Sequence, residues 1–363
     1  MFLPGSHPDS TQTGVHIHSR MEWSSVRRIV DKLITVEEHI TYEDIFAKVR
    51  ELDPARPKRM DPELQEFLGG YFEGVQGWDS LTGRRLELMD EEGVDVQVVS
   101  HGHGSPGQLA HPAAVDMCKE VNDRLAKMIS EVPDRFAGFA TLPLIDPAAA
   151  VDELHRCVSE LGFHGSLVLG RYQDLFLDHP RFRPILKAHA ELNVPLYIHP
   201  GPIMDSVANA YYSGGTWPAK VDYMLASSGF GWHVDAGVQV LRLIAAGVFD
   251  ELPNLRILSG HWGETLPAYL ERFDDQIGIA ATYLERPFSQ TYREQVWITP
   301  SGILTTAQLD LAIAQVGADH ILWSEDIPYI KCKNIRTFLD EADLDEGDRE
   351  KIAHRNAETL LGL

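Results

Sequence analysis

Eight short runs of β-branched and aliphatic residues recur along this chain with helical spacing between them, and that alternation limits the fold more than any other feature. The runs are Lys32–His39, Val94–Val99, Phe136–Leu142, His164–Leu169, Leu196–His199, Leu255–His261, Gln295–Thr299 and Ile321–Ser324. Helical spacing marks Arg84–Glu92, Leu109–Val132, Pro147–Leu161, Phe182–Leu192, Val234–Ala246, Leu266–Tyr283, Thr306–Gln315 and Asp348–Leu361. Eight strand–helix units in one chain predict a (β/α)8 barrel, a TIM-like α/β fold. A doubly wound open sheet is disfavoured because no glycine-rich phosphate turn follows the first strand. Residues 40–80 and 201–231 are expected as insertions after strands 1 and 5. The first reads as irregular, broken at Asp53-Pro54, Arg56-Pro57 and Asp61-Pro62.

Residues 1–30 read as a polar arm, and 31–363 as a single domain. The pair His16 and His18 lies among turn-formers rather than in a strand, which favours a surface arm over a metal motif. Lys and Arg number 32 against 54 Asp and Glu, a net charge of −22. Such a balance argues against a nucleic-acid or anionic-membrane partner and leaves a small anionic substrate open. No apolar run approaches the ~18–20 residues that span a bilayer. The start of the chain lacks the apolar core of a secretory signal, so a cytoplasmic location is expected. Cys118, Cys157 and Cys332 share no close spacing, which predicts neither a zinc knuckle nor a disulfide framework.

In a parallel barrel, chemistry gathers at the C-terminal ends of the strands. Glu37 and His39 end the first strand on one face, with Glu38 on the other. His199 ends the fifth strand, His261 the sixth, and Asp326 follows the eighth before Pro328 stops it. A buried carboxylate such as Asp326 requires a cation, a metal or a proton. Any one of these histidines alone would more often be a packed structural residue. Five metal-capable groups ending strands of one barrel are hard to explain by packing. Imidazole and carboxylate together suit Zn²⁺, Mn²⁺ or Fe²⁺, and the lack of thiolate argues against a closed structural zinc site.

Four pieces, in this order, carry a family likeness: Val36-Glu37-Glu38-His39, Leu196-Tyr197-Ile198-His199-Pro200, Gly260-His261-Trp262-Gly263-Glu264 and Ser324-Glu325-Asp326-Ile327-Pro328. They resemble the signatures of the amidohydrolase-2 group, the branch of the amidohydrolase superfamily that includes aminocarboxymuconate-semialdehyde decarboxylase and γ-resorcylate decarboxylase. The likeness runs from about Leu33 to the C-terminus and leaves out the arm. It implies that Glu37, His39, His199 and Asp326 hold one divalent metal, with Zn²⁺ the first expectation and Mn²⁺ the second. It implies that His261 is the catalytic histidine beside the metal, and that Arg272 is similar to a substrate-binding arginine reached across a subunit interface. A surface salt bridge is the plainer role for Arg272. A homodimer or homotetramer is expected on the same ground.

Two departures from the family pattern bear on the substrate. Leu169 stands where these decarboxylases often carry Asn, and Ser100-His101-Gly102-His103-Gly104 replaces a plainer loop, so His101 and His103 are candidate substrate contacts. The leading expectation is non-oxidative decarboxylation of an ortho-hydroxy aromatic or related unsaturated acid, a small-molecule carboxylate. In it, Asp326 or His261 delivers the proton. Hydrolysis of a lactone, amide or C–C bond on the same site is the alternative, with Asp326 as general base. A barrel retained only for interaction is disfavoured, because a degenerate site would have lost some of these groups.

Overall fold

The computed structural model describes residues 29–53, 61–73, 75, 77–330 and 333–363; nearly all of the polar arm, and Cys332, lie outside the described residues. The strands β1 (Ile34–Ile40), β2 (Val96–His101) and β3 (Phe136–Gly138) form one parallel sheet. A second is formed by β4 (Ser166–Leu169), β5 (Leu196–His199), β6 (Ile257–Ser259) and β7 (Val296–Ile298). Parallel bridges join Ala140 to Ser166, Ile298 to Ile321, and Trp323 back to Thr35. Residues 321–323 are thus the eighth stave of a closed ring, and the (β/α)8 expectation holds. Staves follow one another in sequence order and run parallel, the outcome of strand–helix–strand crossovers.

Period-two alternation sorts the apolar residues into two layers. Ile34, Val36, Val98, Phe139, Leu167, Tyr197, Leu258 and Leu322 form one buried cluster, the filling of the barrel. Alternating residues such as Val99, Val168, Ile198, Ile257, Ile298 and Trp323 belong to a larger cluster packed under the helices. Ala357, Leu360 and Leu361 of the last helix (Asn356–Leu361) join the inner cluster. His164 Nδ1, just before β4, lies 2.7 Å from the Leu361 carbonyl, and Asn356 donates to the Ala318 and Ile321 carbonyls. That helix therefore plugs the N-terminal mouth and leaves the other mouth for chemistry.

β1 departs from strict alternation. Thr35 pairs with Gln97 but Glu38 with Val99, so three steps of β1 oppose two of β2. This bulge re-phases the strand. Val36, Glu37 and His39 all face the interior, and Glu38 turns away toward Arg85.

The connections differ from expectation in two places. The described part of 40–80 is not irregular throughout: it holds helices Glu43–Leu52 and Pro62–Glu73. Of the prolines read as breaks, Pro54 and Pro57 lie outside the described residues, and Pro62 occupies the first helical position, where its missing N–H has no intrahelical role. Within 201–231 a helix covers Ala219–Ala226. The single helix expected over Leu266–Tyr283 is instead a 3-10 turn (Leu266–Tyr269), an α turn (Leu270–Phe273) and a π turn (Asp274–Gly278). Asp274 accepts from the backbone N–H and the hydroxyl of Ser289, which pins the irregular end.

Candidate functional site

Four buried side chains converge at the C-terminal mouth. His39 Nε2 lies 3.2 Å from Asp326 Oδ1, and His199 Nε2 lies 3.4 Å from Glu37 Oε1 and 3.8 Å from Asp326 Oδ1. These four atoms are sealed from solvent and none makes a hydrogen bond. Buried polar atoms are almost always paired, so four orphans facing one point mark a place built for a cation. Their separations suit it, since ligands held at about 2.1 Å from one ion sit roughly 3–4 Å apart. The residues fit a divalent metal.

Each member is aimed by a second contact. His199 Nδ1 donates to the Pro200 carbonyl at 2.7 Å, which leaves a lone pair on Nε2. His39 Nδ1 lies 3.0 Å from Ser100 Oγ, consistent with the same tautomer. Glu37 Oε2 accepts from Thr299 Oγ1 at 3.0 Å, from Ser324 Oγ at 3.2 Å and from Ser301 Oγ, leaving Oε1 for the cluster. Burial alone would raise the Asp326 carboxyl; contacts with His199, His261 and His39 instead hold it well below its usual range.

His261 sits on a turn of unusual hand. Residues 261–265 all have positive φ, and four of the five are not glycine. Left-handed backbone costs about 1–2 kcal/mol per such residue, so outside contacts must hold the turn. The His261 N–H donates to Ser301 Oγ and the Trp262 N–H to the Thr299 carbonyl, each at 2.7 Å, and Trp262 Nε1 donates to the Ile303 carbonyl. The turn brings His261 Nδ1 within 2.7 Å of Glu264 Oε1 and His261 Nε2 within 3.6 Å of Asp326 Oδ2. Burial opposes charge on His261, but Glu264, Asp326 and Glu37 push its imidazole well above the usual range.

Comparison with known proteins then fixes the family. The model of the family described as Amidohydrolase matches residues 41–363. The chain belongs to the amidohydrolase family. It is 36% identical over 337 residues to Decarboxylase orsB of Emericella nidulans, covering 91% of this chain and 96% of that protein. It is 35% identical to the gamma-resorcylate decarboxylase of Rhodococcus jostii, covering 83% and 95%. Among solved structures, a dihydroxybenzoic acid decarboxylase from Polaromonas sp. JS666, with bound manganese and the inhibitor 2-nitroresorcinol, superposes with a TM-score of 0.77 at 31% identity. That match covers 92% of this chain and 97% of the other. This amidohydrolase is accordingly a decarboxylase, a carbon–carbon lyase that uses a divalent metal. Among the described residues no helix is long and apolar enough to cross a membrane.

The remaining candidates of this amidohydrolase fall elsewhere. His101 is 1% exposed; its Nε2 accepts from the Tyr42 N–H at 3.3 Å, its ring packs on Tyr42, and its Nδ1 is buried with no hydrogen-bond partner. Burial pushes its imidazole down to about 3. His103 is exposed, its backbone N–H donating to Tyr329 Oη and its ring 5.2 Å from Phe46. Arg272 is exposed, and among the described residues no ion pair ties it to a neighbour. Leu169 is half-buried and pairs in register with His199.

Sequence reasoning missed the supporting groups: Thr299, Ser301 and Ser324 around Glu37, Glu264 and His233 beside His261, and Glu38. The last, which alone would read as an acidic strand end in water, is fully buried. Its two oxygens accept the N–H groups of Glu325 and Ile327, each at 3.1 Å, and so hold the turn that carries Asp326. Burial raises Glu38 to about 7 and Glu325 well above the usual carboxylate range. Glu38 has the two N–H donors and Arg85 nearby, so Glu325 keeps the proton of the pair. The signal for Glu264 was present as the acid three residues after His261; nothing local marked the others.

Proposed function

We propose that this amidohydrolase removes CO₂ from an ortho-hydroxy aromatic acid of the hydroxybenzoate type, with Glu37, His39, His199 and Asp326 holding one divalent cation. The observation that carries the ligand assignment is the set of four sealed, unbonded atoms at the open mouth. Two imidazoles and two carboxylates suit either Zn²⁺ or Mn²⁺. The manganese in the Polaromonas relative favours Mn²⁺ over the first expectation of Zn²⁺. When bound, the cation neutralises and orients the anionic oxygens of the substrate.

The chain's own groups handle the proton. His261 holds it in the resting site, with Nδ1 tied to Glu264 and Nε2 turned to Asp326. The ring carbon bearing the carboxylate takes this proton through Asp326; the C–C bond then breaks, CO₂ leaves, and the electron pair of that bond restores the aromatic ring. No oxidant or reductant is needed. His103 and Arg272 are the exposed substrate contacts we assign, and buried His101, with Nδ1 unpaired, is the third candidate. Exposed Arg272 lies in the stretch 269–283, where Tyr269, Ile279 and Tyr283 are each more than half exposed, which supports a homodimer or homotetramer that brings it to a neighbouring site. Buried Cys118 and Cys157 are free thiols, compatible with a reducing cytoplasm.

The test is metal analysis of the purified chain together with a CO₂-release screen over hydroxybenzoates, with Asp326→Ala as control. About one metal per chain, and release abolished in the variant, is expected. Bound metal with ester or lactone hydrolysis and no CO₂ from any acid would overturn the reaction. Absence of metal binding would overturn the ligand assignment.

A further inference from the structure

A second cluster beside the quartet, His233, His261 and Glu264, also brings its ligand-type atoms together. Its atoms are satisfied where those of the quartet are orphaned. Glu264 Oε1 lies 2.7 Å from His261 Nδ1 and Oε2 lies 2.9 Å from His233 Nδ1. His233 Nε2 in turn lies 2.9 Å from the Ser228 carbonyl. A carbonyl only accepts, so Nε2 carries a hydrogen, and a proton also lies between His233 Nδ1 and Glu264 Oε2. With both carboxylate oxygens and both His233 nitrogens engaged, the cluster is a closed hydrogen-bond relay and not a second metal site.

The helix Gly231–Ala245 grips Glu264 at two points. His233 holds its carboxylate, and one turn later Gly237 packs against its backbone, where a Cβ would come within 2.5 Å of the Glu264 carbonyl oxygen. Positions i and i+4 share one helix face, so a single face makes both contacts. Glu264 needs such a clamp because it stands in the left-handed turn at φ 53°, and the turn does not hold itself. The His233 and His261 rings lie 4.3 Å apart between centroids. Rotation of Glu264 would free His261 Nδ1 and loosen the aim of Nε2.

We propose that His233 is a positioning residue for the proton-delivering histidine: it locks Glu264 in the rotamer that fixes His261, and through Ser228 it ties that rotamer to the end of the 201–231 segment. Its effect on turnover rests on the decarboxylase reading; the clamp itself does not.

The experiment compares the metal-loaded full chain with His233→Phe, His233→Ala and His233→Asn. Asn returns an N–H donor near the Nδ1 position, whereas Phe and Ala do not; reading both of these guards against one failing to fold. In Phe and Ala we expect kcat for CO₂ release to fall about 10- to 100-fold, the usual size of an outer-contact loss, with KM and metal content unchanged. Asn should recover most of that loss. In parallel, proton NMR of the chain loaded with diamagnetic Zn²⁺ follows the hydrogen-bonded imidazole N–H of His261, assigned by its loss in His261→Asn. This resonance should vanish or shift in Phe and Ala and persist in Asn. An unchanged resonance and kcat within about twofold in Phe and Ala would overturn the clamp, as would an Asn variant as impaired as Phe. Should the wild-type chain release no CO₂, the decarboxylase reading fails while the NMR comparison still decides the clamp.

Discussion

Ser301→Ala tests how the proposed metal site and the turn that carries His261 share one hydroxyl. Ser301 is fully buried; its Oγ donates to Glu37 Oε2 and accepts the His261 N–H at 2.7 Å. Removing it deletes a hydrogen bond to a carboxylate, about 1.5–3 kcal/mol, and strands a backbone N–H, about 1–3 kcal/mol. The sum is about 2.5–6 kcal/mol. Unfolding entropy of roughly 2.1 cal/mol/K per residue over this chain comes to about 0.75 kcal/mol/K, so the Tm of the metal-free protein should drop by about 3–8 °C. Thr299→Val removes a donor to Glu37, at 3.0 Å, and the 2.8 Å partner of the buried Tyr197 hydroxyl, while the Thr299 backbone carbonyl keeps its bond to Trp262. Its loss should be of about the same size. Calorimetry at one scan rate, with metal titration of each variant, measures both. A Ser301→Ala Tm within about 1 °C of wild type would refute the shared-hydroxyl reasoning.

Gly260→Ala places a Cβ 2.7 Å from Glu37 Oε1 and 2.8 Å from Ser301 Oγ. Metal affinity should fall by at least about 10-fold while the barrel stays folded, read by metal titration and circular dichroism. Buried His189 is pulled from 6.5 down to about 4 by desolvation. The unfolded chain therefore binds a proton that the fold refuses, so the stability this group contributes is full above pH 6.5 and is lost as pH falls toward 4, by up to about 3 kcal/mol. His189→Gln should flatten that limb in a Tm-against-pH series, and an equally steep limb would contradict it. Chelation should lower the Tm, because the four facing atoms lose their common partner, and Mn²⁺ should restore it in a concentration-dependent way; no response to either would contradict the cation site.

The ends of the strands were legible in the sequence because chemistry there announces itself: Glu37, His39, His199 and Asp326 are rare residue types at the tips of apolar runs. Their alternation with helices gave the barrel. The helices Glu43–Leu52 and Pro62–Glu73 were obscured by prolines that mark boundaries as readily as breaks. The left-handed turn at 261–265 left no pattern, since its stability comes from strand ends nearly forty residues away. Glu38 and Ser301 were hidden for the same reason: each acts on a residue more than two hundred positions distant, and nothing adjacent reports it. His101 shows the converse, a histidine at a strand tip whose ring nitrogen is taken by the backbone of Tyr42.

The extra residue in β1 means that the height of the proposed metal layer is set by a count as well as by a pattern. Loss of Val36 alone would restore plain alternation and still point Glu37 and His39 inward. Both would nonetheless slide about 3.3 Å toward the plugged mouth, a step as long as the 3.4 Å between His199 and Glu37. Every ligand would be present, facing the right way, and one storey too low. A deletion at that position should therefore abolish metal binding where most substitutions of Val36 by another aliphatic residue would not, so a scan of deletions would expose a constraint that a scan of substitutions passes over.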